Sequence, residues 1–299
     1  MMNDSRLRRN ALGYLEVAQP PTREELEKYY ARSYYQSERG NYRRVYPPHE
    51  LAVKLLRVEQ RVAQALELRR SEEPGCVLDV GCGEGFVLAA LQSMGWEVSG
   101  IDFSVAGVKC QNPQVAKCVE QGDVFELLEQ RVDSGDVYDL IWLGNVLEHV
   151  LDPVNLLRSL RQLVSDDGVL VVTVPNDGNE YQEQLLEDGL ITSRWWIAIP
   201  DHISYFTAES LKALSKETGW ECASILADFP IDLFLAHPGS NYVEDPGLGP
   251  DAHKARLRLE ELIGKAGSDA ANRLYAALAD VGLGRNITGF LRRQSSSLT

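Results

Sequence analysis

The run Cys76-Val77-Leu78-Asp79-Val80-Gly81-Cys82-Gly83-Glu84-Gly85-Phe86 holds the residue types best placed to do chemistry. An apolar stretch carries one acid, Asp79, and ends in glycines at alternate positions. Glycine permits positive φ and removes the Cβ, so a ligand can lie directly on the backbone. Apolar periodicity resumes with Val87, Leu88, Leu91 and Met94, which predicts a helix whose first N–H groups face the same space. The spacing is G-x-G-x-G, whereas dinucleotide sites favour G-x-G-x-x-G with pyrophosphate on the helix N-terminus. An acid beside the turn repels pyrophosphate and suits a cationic ligand, such as a sulfonium with an amino-acid tail. A second acid, Asp102, ends the strand Trp96 to Asp102, at the distance where a carboxylate pairs with a ribose diol. A third, Asp123, follows the short strand expected over Ala116 to Glu120 and offers an acceptor to an adenine amino group.

Two histidines are candidate bases. His149 follows the strand Tyr138 to Leu143, at the carboxyl end of the sheet where ligands bind. His202 lies in an irregular segment beside Asp201, which is expected to orient it. The plain alternatives are a helix-start histidine bonded to backbone for His149 and a structural loop histidine for His202. No metal is expected: Glu148 and His149 are adjacent, and neighbours in a regular helix point about 100° apart. Trp195 and Trp196 could stack on a sugar or aromatic ring, or plug a gap between core and insertion.

The order VLDVGCGEG, GIDFS, GDVFE, DLIWLGNVLEHVLDP and LVSDDGVLVVTVPN resembles the class I S-adenosylmethionine-dependent methyltransferases over residues 75–227, with a matching end at 286–293. LEHV and PDHISYFT are similar to segments of small-molecule enzymes of the ubiquinone-biosynthesis and sugar-modifying type. The resemblance implies an α/β Rossmann-like, doubly wound seven-stranded sheet with an antiparallel last strand. It implies a cofactor set of Asp79, Gly81, Gly83, Asp102, Phe103, Asp123, Val124 and Asn145. In that set Phe103 stacks near adenine and Asn145 faces the methionine portion. Tyr30, Tyr34, Trp195, Trp196 and Tyr205 are candidate acceptor contacts, and His149 and His202 the candidate catalytic pair. The expected reaction moves a methyl group onto a hydroxyl of a small molecule or glycan. Nitrogen or carbon methylation, a binding module without turnover, and a nicotinamide oxidoreductase are the alternatives. The last needs a different glycine spacing.

The elements must position these groups. Residues 1–50 are polar and tyrosine-rich, with Thr22 and Glu25 forming a capping box, and the resemblance implies that they form an N-terminal helical lid over the cofactor cleft. Residues 51–227 form the core, with Asp152-Pro153 and Thr207 opening helices. Residues 228–285 form a helical insertion, expected to cover substrate or mediate a homodimer; 286–293 is the last strand and 294–299 a tail. The net charge of −14 disfavours nucleic acid, whose phosphates need a basic surface. No apolar run is long enough for a membrane span, and the five cysteines show no C-x-x-C pair. A reduced, cytoplasmic setting is expected.

Overall fold

The alternation of strand and helix beyond residue 75 closes into one sheet in the computed structural model of the chain, which describes residues 4–33, 45–71 and 73–294. The N-terminal region differs from the helical expectation. Leu7–Arg9 (β1) and Leu15–Val17 (β2) pair as an antiparallel hairpin, and among the described residues helices follow at Arg23–Ser33 (α1) and Pro48–Glu67 (α2). Leu7, Leu15 and Val17 are buried on one face of this hairpin while Arg8 and Glu16 pair on the other, a pattern too short to read as strand against the polar background. The Thr22–Glu25 capping box is present: the Glu25 amide donates to Thr22 Oγ1 at 3.2 Å, and the Thr22 amide to Glu25 Oε2 at 2.8 Å.

The main run continues as β3 (Cys76–Val80), α3 (Phe86–Ser93), β4 (Glu97–Asp102), α4 (Ala106–Gln111), β5 (Val119–Gln121), α5 (Val124–Ser134), β6 (Tyr138–Gly144), α6 (Pro153–Leu163), β7 (Val164–Pro175) and α7 (Glu180–Glu187). It then gives β8 (Ser204–Tyr205), α8 (Ala208–Glu217), β9 (Trp220–Ala227), α9 (Gly249–Gly264), α10 (Ser268–Asp280) and β10 (Asn286–Arg293). The strand expected from Ala116 begins only at Val119, because Pro113–Cys118 is a 3₁₀ turn. The seven-stranded sheet has the order β5-β4-β3-β6-β7-β10-β9. β10 runs antiparallel to both of its neighbours, and β3, β4, β5, β6 and β7 are parallel. A second, three-stranded sheet joins β1, β2 and β8.

Both faces of the main sheet are covered, which is why its central strands carry long apolar runs, Asp79 being the one acid within β3. Leu78, Ile141, Leu170 and Val172 meet Leu127 and Leu128 of α5, Leu156 and Leu160 of α6, and Leu211 of α8. Val77, Leu140, Val169 and Val171 meet Val62 of α2, Leu88 and Leu91 of α3, and Tyr275 of α10. The expected insertion therefore supplies part of a core layer, since α10 packs into the same cluster as α2 and α3. Its earlier part turns the other way, with Leu235 packing on Leu185 and Ile191 around α7. The Trp220 indole N–H donates to the Leu157 carbonyl at 3.0 Å, tying the edge strand β9 to α6. No helix among the described residues is long and apolar enough to cross a membrane.

Candidate functional site

β3, β4 and β6 end side by side, and the residues that follow them define the site. Gly81, Gly83 and Gly85 have φ of 71°, 53° and 73°, a region open to glycine and costly for most side chains. At Gly81 a Cβ would also lie 2.4 Å from Cγ2 of Val146, so the loops after β3 and β6 touch there without room for a methyl group. Asp79 is 3% exposed, and its carboxylate takes part in no hydrogen bond among the described residues. Burial, and then the nearby charge of Asp102, push its pKa up to about 8. A bound ammonium would offset both effects.

Asp102 is buried at the tip of β4. Its Oδ2 accepts from the Gly83 amide at 2.8 Å and its Oδ1 from the Ser104 amide at 2.8 Å. Burial raises its pKa, and these two amides oppose that. Each carboxylate oxygen retains a lone pair, enough for two further donors such as a ribose diol. Phe103 beside it is 46% exposed, an accessible ring at the sheet's end. Asp123 has a structural task the sequence reading missed. It caps α5, accepting from the Phe125 and Glu126 amides at 2.9 and 3.1 Å, with Oδ2 3.3 Å from the Arg23 guanidinium. The signal was available, since an acid three residues before Glu126 is an N-cap pattern. Val124 begins α5 and is buried. Glu84, within the glycine turn, is held from the N-terminal side by the Tyr46 hydroxyl at 2.7 Å and by Lys54 Nζ at 3.1 Å.

Asn145 follows β6 at φ 56°, a left-handed conformation that asparagine tolerates better than most residues. Its backbone N–H donates to the Thr173 carbonyl at 2.9 Å, and its side-chain amide to Glu148 Oε1 at 3.2 Å. The chain then makes a 3₁₀ turn, Leu147–His149, instead of the regular helix anticipated. Glu148 is 1% exposed; burial raises its pKa, and its Oε2 has no hydrogen-bond partner among the described residues.

His149 and His202 come together, ring centroids 4.9 Å apart and nearly perpendicular. His149 Nδ1 lies 2.7 Å from the Asp201 carbonyl. A carbonyl only accepts, so Nδ1 carries the proton and Nε2 keeps its lone pair. Asp201 thus orients His149 through its backbone. It does not orient His202 as expected: the Asp201 carboxylate stands 4.0 Å from His202 Nε2, beyond hydrogen-bond reach. His202 is largely buried; burial first, then His149, pushes its pKa down to about 4, so the ring is neutral near pH 7. The loop carrying it is fixed by the N-terminal hairpin. β8 pairs with β2, the Val17 amide donates to the Ile203 carbonyl at 3.0 Å, and the Ile203 amide to the Glu148 carbonyl at 2.9 Å. The tight turn and this loop also bring side-chain ligand atoms of Glu148, His149 and His202 within 4.8 Å of one another, a set that could hold a metal ion. The expectation of no metal relied on regular helical geometry at Glu148 and His149, which is not what the chain adopts.

The aromatic acceptor candidates divide. Trp196 and Tyr205 are each 2% exposed and pack edge to face beneath the hairpin with Leu7, Leu15 and Val17. The Tyr205 hydroxyl is engaged by the His202 carbonyl at 2.9 Å and the Ala198 amide at 3.2 Å. Both fill a core and present no open ring face. Trp195 is half-buried between this cluster and the one around α7. Tyr34 lies outside the described residues, as does the side chain of Tyr30.

A protein-family model described as a methyltransferase domain matches residues 49–225. A ubiquinone biosynthesis O-methyltransferase of Histophilus somni is 31% identical over 139 residues, 44% of this chain and 55% of that protein. The enzyme of the same name from Glaesserella parasuis is 31% identical over 106 residues, 33% of this chain and 45% of that protein. The chain thus aligns with about half the length of the curated relatives it matches. Among solved structures, a SAM-dependent methyltransferase from Archaeoglobus fulgidus superposes with a TM-score of 0.51 at 20% identity, covering 82% of this chain and 94% of that one. That likeness is one of fold.

Proposed function

The chain belongs to the methyltransferase-domain family, the class I S-adenosylmethionine-dependent methyltransferases, and we propose that it methylates a hydroxyl oxygen of a small-molecule or glycan acceptor. When bound, the cofactor supplies a methyl group already activated by a positively charged sulfur. Asp79 and the Gly81–Gly83 backbone would take its amino-acid end, and Asp102 its ribose hydroxyls. Phe103 would lie against adenine. Asp123 would receive the adenine amino group if Arg23 yields Oδ2, with Val124 beside it. Asn145 would bound the methionine portion.

The chain's own tasks are alignment, exclusion of water and removal of the acceptor's proton. A hydroxyl holds its proton at neutral pH, so an oxygen acceptor benefits from a base. The observation that carries the reading is the tautomer of His149. With Nδ1–H anchored on the Asp201 carbonyl, Nε2 is the ring nitrogen that would take the proton, 3.7 Å from Glu148 Oε1 beyond the end of β6. Nε2 would take the hydroxyl proton as the acceptor oxygen gains the methyl group, the electron pair of the broken carbon–sulfur bond staying on sulfur. The name of the Histophilus and Glaesserella relatives supports oxygen as the acceptor atom.

Incubation with methyl-¹³C cofactor and a panel of phenols, catechols and sugars tests this. The expected product signal falls in the methoxyl region. Label appearing only on nitrogen or carbon would overturn the oxygen assignment.

A further inference from the structure

We infer that Asp177 is the positioning residue that fixes the tautomer of His202, an inference that rests on the catalytic reading of the histidine pair. Asp177 follows β7 and is 1% exposed. One of its oxygens is bound by the Arg285 guanidinium, which arrives at the start of β10. Its backbone N–H donates to the Phe206 carbonyl at 3.0 Å, beside the bridge between Asn176 and Phe206. The side chain is therefore held through one oxygen and the backbone through its N–H. Its other oxygen, Oδ2, has no hydrogen-bond partner among the described residues, and neither does Nδ1 of His202. These two buried, unsatisfied atoms face each other 3.9 Å apart.

A carboxylate oxygen accepts and cannot donate. The buried pair is satisfied only if His202 Nδ1 carries the proton, and a small turn of the ring closes the gap. Catalytic contacts are commonly long before ligands bind. The backbone of His202 is pinned meanwhile, its N–H on the Ala198 carbonyl at 2.8 Å and its carbonyl on the Tyr205 hydroxyl at 2.9 Å. The rival carboxylate, Asp201, sits 4.0 Å from Nε2 with its side chain 30% exposed, so water can serve it; none can reach Oδ2 of Asp177 as readily. With Nδ1–H directed at Asp177, Nε2 of His202 keeps its lone pair and faces the site as an acceptor. Arg285 brings the end of the insertion into the arrangement. Its amide donates to Asp228 Oδ1 at 2.8 Å, and its carbonyl accepts from the Asn176 amide at 3.0 Å.

Long-range ¹H–¹⁵N spectra of histidine-labelled protein, recorded with S-adenosylhomocysteine and EDTA, read this tautomer without any turnover. The wild-type protein is expected to show His202 protonated at Nδ1. In Asp177→Asn, Arg285 claims the amide oxygen and the amide NH₂ then faces His202, which forces the Nε2–H form. That variant is expected to lose about 100-fold or more in kcat, with acceptor KM and S-adenosylhomocysteine affinity within about threefold of wild type. In a His202→Gln background the same change adds no further loss. An Nε2–H tautomer in the wild type, an unchanged tautomer in Asp177→Asn, or equal losses in both backgrounds would each overturn the assignment. Should Asp177→Asn fail to fold, the wild-type spectrum decides alone. Full activity in His202→Gln would instead sink the catalytic reading of His202, and the spectra distinguish that failure from this one.

Discussion

Asp79 is the residue where burial and function conflict most plainly. A carboxyl whose pKa is 3.8 when unfolded and about 8 when folded favours the folded state only while protonated. Stability of the ligand-free protein should therefore fall as pH rises from about 4 to about 8, and the loss should be complete above that. Asp79→Asn should remove this fall in urea titrations while weakening S-adenosylhomocysteine binding at least about tenfold. A variant that binds as tightly as wild type would take Asp79 out of the site. His149→Gln should lower kcat by about 10²–10⁴-fold and leave cofactor affinity in place; a rate within about threefold of wild type would dismiss it as the base. Asp79, the glycines and Asp102 were legible in sequence because one loop and two neighbouring strand ends bring them together. The approach of His202 to His149 was not, because it depends on a loop fixed by a hairpin at the other end of the chain. Asp177 and Arg285, 108 positions apart, carry no sequence signal of their contact.

At the scale of elements, the parallel strands and their helices were readable because burial on both faces leaves unbroken apolar runs. Caps such as Asp152 and Thr207 marked helix starts correctly: Asp152 accepts from the Asn155 amide at 2.9 Å, and Thr207 forms a capping box with Ser210. The N-terminal hairpin escaped notice because two three-residue strands offer too little alternation to stand out. That hairpin is what makes Trp196 a core residue. Trp196→Ala should cost about 3 kcal/mol of stability through lost packing against Tyr205 and the hairpin. It should also reduce turnover through the His202 loop, while cofactor affinity, set at the ends of β3 and β4, changes less than about threefold. Unchanged stability in urea would mean that the hairpin does not pack there.

For the whole molecule, the surface charge and the sheet's polarity agree with a cofactor gripped by backbone and carboxylates rather than by a basic cleft. The seven-stranded sheet and its antiparallel last strand were implied by the family resemblance, and the sheet has both. The place of α10 in a core layer was not, since an amphipathic helix in an insertion looks the same whether it covers a ligand or a sheet. The most direct measurement of the central claim is a crystal structure with S-adenosylhomocysteine. Its amino group should lie on Asp79 and its ribose hydroxyls on Asp102, with the sulfur turned toward His149. Density for the ligand away from the ends of β3 and β4, or ordered only with a nicotinamide nucleotide in its place, would contradict the account.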